Sequence, residues 1–420
     1  MSSNRTKKKC AWIAIHVAKR SHDALVELDS KSRRRMKVLN EKADFERLVK
    51  YARGMASEVI VGLEPSADYH RPLAYFLLKA GLDVRLVSSL AVARTREALN
   101  NSWDKNDPLD AQVILHLLKT TKTNPFHDPV LAGHNDLQEL SNSHAQLSKR
   151  RTRLQHSIVN HYLALYFPEV ERFMTHSRAH WFGKLVSAFP TPASVLTLSE
   201  DEFIERGGEL VKGKQSKTAL LRAYDQAAQN SIGVPLEEGT PALEMYRRIV
   251  EEHLTLSVKR RELEATADAL LKSNRDYQIL RSLPGIDPIL AFTILAEAGV
   301  LRRFGHERQY LKFCGLDLAT QQSGTFRGAT KLSKRGNGRL RSAYWLASTV
   351  AIRMRENSFR QKYTRYVRRD PTDRDLCRKA YTAVTSKMAR VSYHLVTKQL
   401  EYRPFHEVGV PAEELPRIGP

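Results

Sequence analysis

The chain has 420 residues, 42% of them hydrophobic, with 68 lysines and arginines against 46 aspartates and glutamates, a net charge of +22. This length and apolar content fill two or three globular domains and exclude a disordered chain, and the basic excess, spread along the whole length, points to a polyanion as partner, nucleic acid above all. An acidic membrane surface is the competing partner, but there is neither a long apolar span nor a basic amphipathic helix at a terminus.

In chain order, "MSSNRTKKKCAWIAIHVAKR" pairs a basic lead with a short apolar run. The run is broken by His16 and lacks a small-residue cleavage site, so it is not a signal peptide. The three scattered cysteines, Cys10, Cys314 and Cys377, suit a reducing cytoplasm and neither a disulfide framework nor a zinc site. "CAWIAIHVA", "DALVELD", "SEVIVGLEP" and "LDVRLVSS" are short, rich in Val and Ile and bounded by polar or turn residues, which predicts strands. Between the last two, "DYHRPLAYFLLKAG" is a helix pattern ending at Gly81. Residues 1–125 therefore form one α/β domain whose first strands can meander. Within it "KNDPLDAQVI", residues 105–114, sets Asp107 before Pro108 as an N-cap and Asp110 three positions on. Two readings stay open: a cap with an ordinary surface acid, or two carboxylates on one helix face aimed at one spot.

Residues 126–275 change character. Leu140, Leu147 and Leu154, continued by Ile158 and Leu165, and then Ile249, Leu256, Leu263 and Leu270, recur at heptad-like spacing. They predict two long helices forming an antiparallel pair or a dimer coiled coil, with packing and no chemistry in the stripes. Residues 176–240, between them, are a Pro- and Gly-punctuated helical insert. Residues 276–400 open with "LPGIDPILAFTILAEAG", helix, Gly turn, helix. It is either a helix-hairpin-helix gripping phosphate through amides near Gly285 or a plain helical hairpin. "SGTFRGATKLSKRGNGRLRSAYWLAS", residues 323–348, is rich in glycine and cations and runs into a helix. Lys334 and Arg335 either solvate a loop or contact phosphates, with Gly336 and Gly338 permitting close approach. Tyr344 and Trp345 either stack on bases or pack in a core. Residues 401–420 read as a tail.

Metal-dependent phosphodiester chemistry needs carboxylates gathered from several elements around magnesium ions. Glu64 directly follows the strand "SEVIVGL", and Asp107 and Asp110 open a helix. A fourth acid is expected at the end of the first strand, where the sequence has His16.

These residues resemble the DEDD transposases of the insertion-sequence one-ten and eleven-eleven group, related to Piv-type DNA invertases. "AIHVAK" matches a strand of the type G-I-D-V-x-K with His16 at the Asp position, "VGLEPS" supplies Glu64, and "KNDPLDA" supplies Asp107 and Asp110. "LPGID", "AEAG", "CGL", "QQSG" and "SKRGNGRLR" follow in the family's order. The resemblance implies an α/β plus α fold. Its parts are a RuvC-like, RNase H-type N-terminal domain, long coiled-coil helices, and a mainly helical C-terminal transposase domain with the helix-hairpin-helix-like element. It also implies Mg2+ held by the acidic residues and a covalent serine nucleophile, which falls on Ser323. Arg327, Lys331, Lys334, Arg335, Arg339 and Arg341 lie nearby in sequence to stabilise charge and bind nucleic acid. DNA, a structured guide RNA and a homo-oligomer, dimer or tetramer, are the implied partners, and the bacterial cytoplasm, associated with the nucleoid, the implied location.

His16 departs from the pattern. A neutral imidazole offers one nitrogen, prefers softer metals and brings no negative charge. Three outcomes follow: His16 ligates one metal with reduced activity, the chain is an inactive relative or altered variant that retains binding, or the first acid lies in another element. Asp23 is the only nearby acid that could substitute. The rival functions are a RuvC-type structure-specific nuclease without a covalent serine intermediate and a nucleic-acid-binding protein without catalysis.

Overall fold

The computed structural model describes residues 10–28, 32–100, 107–121, 123–174, 180–211, 217–320, 322–323, 325–328, 330–355 and 357–404. The chain divides into two compact units, Met1–Asn135 and Asp136–Pro420.

The first unit is a sheet of six strands in the order β3-β2-β1-β4-β5-β6. β1 (Cys10–His16), β2 (Ser21–Leu28) and β3 (Arg33–Leu39) form an antiparallel meander, β4 (Glu58–Leu63) and β5 (Asp83–Leu86) run parallel to β1, and the two-residue β6 (Asn124–Pro125) closes the edge. Three antiparallel strands followed by parallel neighbours of the first is the RNase H-type order. The pleat decides the faces. Ala11, Ile13, Ile15, Val59, Val61 and Leu63 share a core with α1 (Lys42–Met55) and α2 (His70–Lys79). The alternate residues of β1 face the other layer, where Ala14 packs with Val92 of α3 (Ser89–Asn100) and with Ala111 and Ile114 of α4 (Asp107–Thr120). Small residues let α4 approach: Ala14 pairs with Gly62, and a Cβ on Gly62 would lie 3.0 Å from Leu118.

In the second unit, α5 (Asn135–Ser157) runs into a π-helical turn and the short α6 (Ala164–Tyr166). The insert contributes α7 (His180–Ala188), α8 (Pro192–Leu196), α9 (Glu200–Leu210) and α10 (Lys217–Gln229), closed around Phe167, Phe203 and Tyr224 in a core of its own. A His144–Glu264 hydrogen bond, 3.0 Å, and an Arg150–Glu252 ion pair, 2.5 Å, set α5 antiparallel to α11 (Pro241–Leu271). Of the leucine stripes, Leu154 and Leu256 are buried, Leu147 and Leu263 half-buried, and Leu270 exposed.

A third core unites α12 (Arg275–Ser282), α13 (Pro288–Ala298), α14 (Glu307–Cys314), α15 (Gly338–Ala351), α16 (Ser358–Val367) and α17 (Arg374–Lys398). The helix, turn, helix expected around Gly285 is there as α12 and α13, and Gly285 has φ +84. A Cβ on it would meet the Ala347 carbonyl oxygen at 2.2 Å, so close packing against α15 by itself requires glycine. Among the described residues no helix is long and apolar enough to cross a membrane.

Candidate active site

His16 is the last residue of β1 and Glu64 the first after β4, and those strands pair in parallel up to Ile15 and Leu63. Both side chains therefore leave the sheet side by side at its carboxyl edge, on the face covered by α4. The first turn of α4 completes the group, since positions three apart share a helix face. His16 Nδ1 lies 3.7 Å from Glu64 Oε2 and 3.9 Å from Asp110 Oδ2, and Nε2 lies 3.3 Å from Asp107 Oδ1. Asp107 is more than half exposed, whereas Asp110 is fully buried. A buried carboxylate requires a partner, and Arg96 of α3 supplies it with a 2.6 Å bond from Nη1 to Asp110 Oδ1.

The imidazole is the centre of the group. Its pKa is raised, chiefly by Glu64; burial opposes the rise, and the charges of Asp107 and Asp110 add to it. Nδ1 is buried and has no partner within hydrogen-bond distance. Asp23 is the cross-strand neighbour of His16 on the same face of the sheet.

The metal that the family implies can be tested against these side chains. Magnesium takes oxygen ligands in a near-octahedral shell. Here a nitrogen ring stands among the three carboxylates, one oxygen of Asp110 is given to a guanidinium, and among the described residues no group of three or more His, Cys, Asp or Glu is disposed to hold a metal ion. The residues as folded do not fit a magnesium pair; an imidazole and a guanidinium already stand among the carboxylates.

The carboxyl unit brings a second set of predicted residues together on a β-arm. After α14 the chain turns at Gly315, in the left-handed region, and extends through β7 (Leu318–Ala319) and β8 (Gln322–Ser323). It returns through β9 (Phe326–Arg327) and β10 (Lys331–Leu332). β7 pairs with β10 and β8 with β9, both antiparallel, and Thr320 and Thr330 join hydroxyls between them at 3.2 Å. Ser323 is exposed near the tip, paired with Phe326. The base is fixed by Ser333, whose amide donates to the Asp317 carbonyl at 2.9 Å. Arg341, half-buried, donates to the carbonyls of Cys314 and Lys334.

The predicted cations divide by role. Lys331, Lys334 and Arg335 are exposed and make no ion pair among the described residues. Arg339 is committed to Glu297, 3.0 Å, and Asn142, 2.7 Å. Arg327 lies in β9, and its side chain is outside the described residues. Tyr344 is buried and shares a 2.7 Å hydroxyl contact with Tyr310, while Trp345 is half exposed beside Tyr381.

Two residues escaped the sequence reading. Arg96 gave no cue, being one arginine in a polar helix. Glu297 could have been found, because an acid inside the apolar run "PILAFTILAEAG" must be paired where it is buried. It accepts from Ser141 at 2.9 Å and from Asn337 at 2.7 Å, in addition to its bond with Arg339, and so anchors the start of α15.

Two family models match the chain. One, described as a transposase and covering the DEDD domain of the insertion-sequence IS110 type, matches residues 13–168; the other, Transposase IS116/IS110/IS902 family, matches residues 277–364. The acidic pocket lies within the first span and Gly285, Ser323 and the basic arm within the second. An "Insertion element IS116 uncharacterized 44.8 kDa protein" of Streptomyces clavuligerus is 24% identical over 84% of this chain and 87% of that protein. An IS110 counterpart in Streptomyces coelicolor is 25% identical over 79% of each. A "Transposase for insertion sequence element IS1111A" of Coxiella burnetii is 28% identical over 34% of this chain and 38% of that protein. Among solved structures, T. thermophilus RuvC in complex with Holliday junction substrate is 13% identical, covering 28% of this chain and 99% of that one at a TM-score of 0.20, a superposition that adds nothing to the strand order.

An RNase H-type sheet with acids at its carboxyl edge, followed by a helical unit with a basic arm, is matched in the same order by two transposase family models. The chain belongs to the IS110 family of DEDD transposases.

Proposed function

We propose that this chain cuts and rejoins DNA as the transposase of an insertion sequence, with Ser323 as nucleophile. The main support is the convergence on residue 16 of three carboxylates from two separate segments, Glu64 after β4 and Asp107 and Asp110 of α4, at 3.3 to 3.9 Å. In the strand-cutting step an Oγ–P bond forms as a phosphodiester P–O bond breaks; the serine proton passes to solvent and the departing strand oxygen takes one up. Attack by the hydroxyl of a second strand reverses the covalent link and completes the exchange. A serine hydroxyl needs nearby positive charge to carry this step; Lys331 shares its arm, and Lys334 and Arg335 follow the arm's base. A structured noncoding RNA that pairs with donor and target DNA gives the net charge of +22 a second polyanion. The α5–α11 stripes, partly uncovered, suit assembly of a dimer or tetramer.

His16 favours a second reading, a nucleic-acid-binding relative that has lost catalysis. The experiment is to purify the full chain from its host, sequence the nucleic acid that accompanies it, and assay strand exchange on DNA carrying the recovered element ends. Exchange in the parent that disappears in Ser323→Ala supports the transposase. Cleavage that persists in Ser323→Ala belongs to a water-using nuclease, and activity present only in His16→Asp makes the parent a binder.

A further inference from the structure

We propose that Phe326 stacks on an unpaired base of the strand bound at the arm, splaying the nucleotide whose phosphate faces Ser323. The inference rests on the reading of the arm as nucleic-acid-binding, and not on the chemistry of Ser323.

Single exposed apolar side chains are ordinary, so exposure alone argues little. The register argues more. Ser323 and Phe326 are directly opposed in the β8–β9 pair, and opposed residues of an antiparallel pair project from one face with Cβ atoms roughly 5 Å apart. The phenyl ring, 62% exposed, therefore stands beside the serine hydroxyl on a projecting ladder. A nucleotide presenting its phosphate to that hydroxyl has its base within reach of the ring.

Charge selects the occupant. Lys331 lies on the same arm, opposite Ala319, and Lys334 and Arg335 follow its base, all three exposed and without acidic partners among the described residues. A second copy of this chain brings the same cations and a net +22, whereas a nucleic acid strand brings phosphates for the lysines and arginine and flat π-faces for the ring. Aromatic stacking on single strands is tolerant of sequence, and phenylalanine is also used as a wedge between base steps. Stacking would hold the nucleotide at the Ser323 end of the arm through its own base.

The test uses the full chain carrying Ser323→Ala, so that strands stay intact, and labelled mixed-sequence DNA and RNA strands of about twenty nucleotides, longer than the roughly 4 to 16 that one such platform occupies. Anisotropy should show Phe326→Leu binding roughly five- to a hundredfold more weakly, with Phe326→Tyr close to the unsubstituted ring. Phe326→Trp should add an emission, over that of the four native tryptophans, that the strand quenches. Quenching by DNA alone, or by RNA alone, identifies which strand the ring meets. Full affinity in Phe326→Leu overturns the proposal. So does an unquenched tryptophan together with loss of self-association in Phe326→Leu, which assigns the ring to a contact between copies. If the Ser323→Ala chain with Phe326 intact takes up neither strand, the nucleic-acid reading of the arm falls as well.

Discussion

In the acidic pocket every charged group meets another from the same unit, with His16 among Glu64, Asp107 and Asp110, and Arg96 on Asp110. On the β-arm and just past its base, Lys331, Lys334 and Arg335 reach solvent with no acidic partner among the described residues. The pocket's charges meet one another, whereas the cations on and below the arm meet no acid among the described residues. Substitutions in the first should therefore be read in stability, and substitutions in the second in binding.

The largest stability effect should follow Arg96→Met, which strands a buried carboxylate and should cost about 3–5 kcal/mol in urea unfolding. Adding Asp110→Asn should recover most of it. Full stability in the single variant would show that the Arg96 bond is not what holds the buried Asp110 side chain.

His16→Asp should come next. It replaces the central imidazole with a fourth carboxylate, and in chelator the melting temperature should drop by the equivalent of roughly 1–3 kcal/mol. Millimolar Mg2+ should restore the variant while leaving the parent's melting unchanged. An equal response of both would show that the parent pocket takes the ion despite its imidazole.

Acid should separate the pocket from the helical frame behind the arm. The raised pKa of His16 makes its contribution complete below the unfolded value of about 6.5 and lost as pH rises through the folded one. His253 of α11 behaves in the opposite sense. Burial first, then the charges of Arg151 and His180, lower it to about 4, so its contribution is present above about 6.5 and lost as pH falls towards 4. Discounted for partial exposure, that loss is roughly 1–2 kcal/mol, and His253→Gln should flatten it in melts of the carboxyl unit's tryptophan signal.

The smallest stability effects belong to the arm. Lys334→Ala or Arg335→Ala should shift stability by less than about 0.5 kcal/mol, yet weaken DNA binding across sequences and lower the salt-dependence slope by about 1 each.

The pocket was legible because two simple periods built it. Strand alternation put His16 and Glu64 on one face, and helical spacing put Asp107 and Asp110 together. β3 was not legible: "RRRMKVL" is an exposed edge strand with one buried residue, so it lacks the alternation that marks a half-buried strand. The arm's strands of two residues are shorter than any pattern can register. Gly285 shows a correct local reading with a second cause: its positive φ was evident from the turn, but its closeness to Ala347 depends on a helix some sixty residues downstream. Arg96 was hidden for the same reason, since its partner is defined only once α3 and α4 pack.

The most direct measurement is to trap the reaction by denaturing the full chain with its cognate DNA and to map any DNA-linked peptide by mass spectrometry. The account predicts a phosphodiester on Ser323, absent from Ser323→Ala. Cut DNA with no strand attached to protein, or attachment at another residue, would contradict it.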